Sequence, residues 1–130
     1  MEKGDDMVAP PRAVVEEFFE RMADPDRRYS VGELFTEDAV ITLPGERFVG
    51  DQAALEMLEW LDPRYEWVDK EFDQWIETGP YVVSQGTLFG VNNDGEAFEG
   101  VRYVDVYEIE DGRISHVDIY NDLAATEVLG

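Results

Sequence analysis

Residues 102–122 read RYVDVYEIEDGRISHVDIYND, and how this stretch folds back on itself decides which side chains share a face. Asp111-Gly112 lies between two alternating runs, a strong hairpin signal. Side chains alternate along a strand, so Tyr103, Asp105, Tyr107 and Ile109 stand on one face whatever the turn. A two-residue turn pairs Glu110 with Arg113. It sets Asp105 opposite Asp118 and Tyr107 opposite His116, the one histidine of the chain. A three-residue turn pairs Ile109 with Arg113 and places Asp105 opposite Val117 and Tyr103 opposite Ile119. His116 and Asp118 then move to the reverse face. The first register leaves a clean apolar face of Val104, Val106, Val117 and Ile119, but it sets two aspartates directly against each other, which is unfavourable. The residues alone leave both registers open.

Working outward, the rest of the chain reads as helices followed by strands. Residues 1–9 are polar and expected to fray. In PPRAVVEEFFERMAD, Pro11 suits a first helical turn, and Val14, Val15, Phe18, Phe19 and Met22 form an apolar stripe that Asp24-Pro25 ends. A short helix is expected over 31–35, then a strand, AVITL, and a turn at Pro44-Gly45 into RFVG. Asp51 is the expected N-cap of a third helix, QAALEMLEWL, ending at Asp62-Pro63. YEWVDKEFDQWIE reads as a long strand whose imperfect alternation implies a bulge or bend. YVVSQGTLFGV follows, and Asn93-Asp94-Gly95 turns it into FEGVRYVDVYEIE. Helices first and an antiparallel meander after them make a single α+β domain over 10–130, in which a curved sheet wraps the helices.

Composition narrows the functions. A chain of 130 residues with 44% apolar and 12% aromatic residues can bury one core. Absence of cysteine excludes disulfides and thiolate sites, and one histidine argues against zinc or non-haem iron. No metal and no cofactor are expected. Thirty-one acids against ten bases give a net charge of −21, which repels nucleic acid and anionic membranes. Only Lys3 and Lys70 are lysines. Acids spread along the whole chain fit solvation in molar salt, where repulsion is screened within ~3 Å, better than a docking surface for a basic partner. No leader and no apolar run near the ~20 residues of a membrane span point to a cytoplasmic protein of a salt-loving organism.

The order of LFTEDAVITLPGERFVGDQAALEML, SQGTLFG, RYVDVYEIEDGRI and YNDLA resembles the SnoaL-like branch of the nuclear transport factor 2-like superfamily, over about residues 12–124. Relatives include polyketide cyclases, ketosteroid isomerases and limonene-epoxide hydrolases, besides binding domains without chemistry. The resemblance implies a cone-shaped (cystatin-like) fold, with a strongly bent antiparallel sheet and three N-terminal helices closing a deep pocket for a small apolar or aromatic molecule. It also implies a homodimer through the sheet. By the same resemblance the hairpin takes the three-residue register. The pocket face is then Val101, Tyr103, Asp105, Tyr107 and Ile109 with Val117, Ile119 and Asn121, while His116, Asp118 and Tyr120 face out.

Two departures from the family pattern matter. Relatives that are cyclases or epoxide hydrolases carry a catalytic Asp where this chain has Ile119. The epoxide hydrolases also carry an Arg and an Asp where Gln85 and Thr87 stand, which argues against epoxide hydrolysis. Asp105 is the carboxylate both registers support. Buried beside tyrosines, it would be a general base next to a carbonyl, with Tyr103 or Tyr107 donating to the developing enolate; the plain alternative is a buried aspartate satisfied by hydrogen bonds. His116 and Asp118 are secondary candidates. Phe18, Phe19, Met22, Phe35, Met57 and Trp60 are expected to roof the pocket or simply to fill a core, and Gln85, Thr87 and Phe89 to line it. Two functions remain in view. One is a cofactor-free isomerase, cyclase or dehydratase acting on a small apolar carbonyl compound. The other is a non-catalytic ligand-binding or dimerisation domain of the same fold.

Overall fold

The structure is a computed structural model that describes residues 10–123; the expectation for residues 1–9 falls outside them. Helix α1 (Pro11–Ala23) is followed by a 3-10 helix (Arg28–Leu34), strands β1 (Phe35–Leu43) and β2 (Glu46–Val49), and helix α2 (Ala53–Leu61). Strands β3 (Tyr65–Thr78), β4 (Tyr81–Asn92), β5 (Ala97–Glu110) and β6 (Arg113–Asn121) follow among the described residues. The six strands form one open sheet in the order β2-β1-β6-β5-β4-β3.

Two local expectations shift. The short helix begins three residues early and is 3-10. Gln52, not Asp51, occupies the N-cap of α2, and no side chain caps it. The sheet also departs from all-antiparallel pairing: β1 runs parallel to β6. Four strands and α2 intervene between them, which is ample chain for the crossover that parallel neighbours require.

The apolar stripe of α1 works as its spacing predicts. Val14, Val15 and Phe18 are buried, each contributing about 1.5–3 kcal/mol through burial. Phe18 meets Phe35 and Tyr107 edge-on at centroid distances of 5.5 and 6.1 Å. Arg21 ties this helix to the 3-10 segment, donating to Glu17, to the Ser30 carbonyl and to Glu33.

Bulges bend the sheet. The β3–β4 register slips near Glu66 and again near Asp73, so β3 carries extra residues where its alternation breaks. On β4, a Cβ at Gly86 would stand 2.0 Å from the Glu71 carbonyl oxygen and one at Gly90 2.3 Å from that of Trp67. Glycine is therefore required at both positions for β3 to close down. Among the described residues no helix is long and apolar enough to cross a membrane.

Candidate functional site

The 102–122 hairpin combines parts of both expected registers. Asp111 and Gly112 both have positive φ, 53° and 81°, the conformation of a two-residue type I′ turn, and Glu110 pairs with Arg113. One residue further on, β6 bulges at Ser115: Ile109 pairs with Ile114, but Glu108 pairs with His116. The extra residue reverses the parity of everything beyond it. Asp105 thus lies opposite Ile119, Tyr107 opposite Val117 and Tyr103 opposite Asn121. These pairings match neither register, yet the faces divide as the family resemblance implies.

His116 and Asp118 consequently lie on the outer face, against β1. The Thr42 hydroxyl donates to Asp118 Oδ1 at 2.6 Å, and His116 Nε2 lies 2.9 Å from the same oxygen. Burial pushes the Asp118 carboxyl up, but its bonds to Thr42 and His116 outweigh this and hold it below the usual value.

Between the sheet and the helices is a cavity of about 190 Å³, on the scale of the ~150 Å³ that accepts a benzene ring. Phe18, Phe19 and Met22 of α1 line it, as do Met57 of α2 and Ile119 and Asn121 of β6. Other expected lining residues lie elsewhere. Phe35 and Val117 belong to the main core, and Val101 packs in a second cluster with Leu88, Tyr103 and Leu123. Trp60 sits under the Arg64 guanidinium, 3.8 Å from its ring centroid. Gln85 and Thr87 line an open hollow beside Arg102 and Tyr120 instead, because the inward positions of β4 are Val82, Ser84, Gly86 and Leu88. Phe89 stands edge-on to Trp67 at 5.9 Å.

Asp105 projects into this cavity and is 2% exposed. Its Oδ2 accepts from the Tyr107 hydroxyl at 3.2 Å and lies 3.8 Å from Lys70 Nζ. Its Oδ1 is buried and has no hydrogen-bond partner among the described residues. Burial pushes the carboxyl up, against the opposing pull of Lys70 and Tyr107. Burial also pushes the Tyr107 phenol well above its ordinary value, and Tyr103 to about 12; both are neutral at physiological pH. Their hydroxyls are already engaged, Tyr107 on Asp105 and Tyr103 with Ser84 at 2.8 Å.

Lys70 is the site residue that sequence reasoning missed. It pairs with Leu88 across the sheet and shares its face with Val68 and Phe72, which also line the cavity. Its Nζ lies 5.0 Å from the ring centroids of both Phe19 and Tyr103. In an acid-rich strand with broken alternation, a lysine reads as surface. The available signal was scarcity: eight of the ten bases are arginine, so a lysine is the exception.

The SnoaL-like domain profile matches residues 15–117. The chain belongs to the SnoaL-like family. No curated protein sequence matches it. Among solved structures, an NTF2-like protein of unknown function from Burkholderia pseudomallei is similar over 94% of this chain and 98% of its own, with 20% identity and a TM-score of 0.79. TerC, co-crystallised with polyporic acid, is similar over 93% and 98% respectively, with 15% identity and a TM-score of 0.78. A protein from Jannaschia sp. CCS1, provisionally described as a SnoaL-like polyketide cyclase, shares 19% identity over 93% and 94%, with a TM-score of 0.73. At these identities, the SnoaL-like fold is what the solved structures share with this chain.

Proposed function

We propose that this SnoaL-like cavity binds a small, largely apolar carbonyl compound and that Asp105 acts on it as general base, in cofactor-free isomerase, cyclase or dehydratase chemistry. The observation that carries this reading is Asp105 Oδ1, a buried acceptor without a partner among the described residues, on a side chain that lines the cavity. Leaving such an atom unpaired costs about 1–3 kcal/mol, and the unused lone pair is what a base needs. Burial strengthens it as a base by raising its pKa. A cavity walled by Phe18, Phe19, Met57 and Ile119 suits an apolar body. The polyketide-cyclase-like neighbour and the one co-crystallised with polyporic acid support a small-molecule pocket.

One observation favours a second reading, a binding domain without chemistry. Ile119 faces Asp105 across the β5–β6 pair and lines the cavity, at the position where family resemblance puts a catalytic aspartate. Exchange of the α-protons of 2-indanone in D2O, followed by proton NMR, separates the two. An enzyme accelerates the exchange, and Asp105→Asn slows it by roughly 100-fold or more while 2-indanone still perturbs the cavity resonances. If wild-type protein binds 2-indanone and leaves the exchange at the solvent rate, the catalytic reading fails and the binding reading stands.

A further inference from the structure

We propose that Lys70 is the oxyanion-binding residue of this cavity, so that the ligand class is an apolar molecule carrying one enol or phenol oxygen that binds as the anion. The inference rests on the reading of the cavity as a carbonyl-compound site and adds the group that would receive the charge. Lys70 Nζ reaches the cavity 3.8 Å from Asp105 Oδ2 and 5.0 Å from the faces of two aromatic rings. The two tyrosine hydroxyls expected to serve an enolate are engaged with Asp105 and Ser84. Arg28 also lines the cavity, but its Nε is held by the Met22 carbonyl at 2.7 Å. The remaining charged groups lining it, Asp62, Glu66 and Asp69, repel an anion. Lys70 is thus the cation placed beside the base.

The chemistry balances without a further reactant. Asp105 takes a proton from the carbon next to the carbonyl. That C–H pair becomes the new C=C bond, and the carbonyl π pair moves onto oxygen beside the Lys70 ammonium. Return of the proton from Asp105 to another position of the enolate completes an isomerisation. A phenol or stable enol stops at the first stage: its proton passes to Asp105, and its oxyanion stays against Lys70.

4-Nitrophenol tests this, because its absorbance reports ionisation, with 4-nitroanisole as the partner that cannot ionise. Wild-type protein is expected to bind 4-nitrophenol with the phenolate spectrum at a pH where the free phenol is protonated. Lys70→Met, which keeps the apolar stem, should weaken 4-nitrophenol roughly tenfold to a hundredfold and leave 4-nitroanisole within about twofold. Lys70→Arg should restore much of the loss. No uptake of 4-nitrophenol, or equal affinity in Lys70→Met, overturns the proposal. So does borohydride reduction with 2-indanone that leaves a 2-indanyl group on Lys70 as a secondary amine, the ketone oxygen having left as water, since that makes the lysine an imine-forming nucleophile. Phenolate binding that depends on Lys70 without any 2-indanone exchange sustains this inference while the base reading falls. Exchange that needs Asp105 but is indifferent to Lys70→Met does the reverse.

Discussion

Asp105 and Lys70 face each other from β5 and β3 at 3.8 Å, and at the residue scale their surroundings decide what each can do. The folded chain holds the Asp105 carboxyl above its ordinary value, by burial. Between the unfolded value, ~3.9, and the folded one, the native state binds a proton that the unfolded chain has released. Stability from this group is therefore fully present below the unfolded value and is lost as pH rises through the folded one. Urea unfolding of wild type and Asp105→Asn, at intervals from about pH 4 to neutrality, should show the variant losing less stability as pH rises. Parallel pH curves would show Asp105 ionising as in water. His116 gives the contrasting case. It sits on the outer face at Asp118, so His116→Gln is expected to leave 2-indanone exchange unchanged, within about twofold.

At the scale of elements, bulges explain what was legible in the sequence and what was not. The stripe of α1, the breaks in the alternation of β3 and the turns at Asp94-Gly95 and Asp111-Gly112 were all readable, because each depends on local chemistry. The inward set of β6 was not. It depends on one extra residue, Ser115, whose insertion leaves no mark in composition or propensity. The same difficulty put Gln85 and Thr87 on the wrong face of β4, where a shift of one residue exchanges inside for outside. Lys70 was hidden because the bulges near Glu66 and Asp73 erase the period that would have assigned it inward. Gly86 shows how tightly the bend is specified. Gly86→Ala forces a Cβ against the Glu71 carbonyl and is expected to cost about 1–3 kcal/mol, read as a lower thermal midpoint together with weaker 2-indanone binding. An unchanged midpoint would mean that β3 can lift off β4 without penalty.

At the scale of the whole molecule, charge and cavity are separate matters. A net charge of −21 is spread along the sequence, and ion pairs such as Arg12–Glu16 and Arg102–Asp122 offset only a little of it, since exposed pairs contribute about 0–1 kcal/mol each. Self-repulsion is then a standing cost of the compact state. Added KCl should raise the thermal midpoint steadily up to about molar concentration, where the screening length falls to ~3 Å. A midpoint indifferent to KCl would mean that the acids are already neutralised by their neighbours. The Lys70–Asp105 pair lies inside the cavity and should respond much less to salt than the surface does.

Burial at the cavity wall makes Asp105 a stronger base than an aspartate in water. Difference infrared spectroscopy between wild type and Asp105→Asn tests it without any substrate, since the difference isolates one carboxyl group. A protonated carboxyl band is expected to persist above the ordinary carboxylate range and to disappear only at higher pH. A carboxylate band already complete at the pH where free aspartate ionises would contradict it.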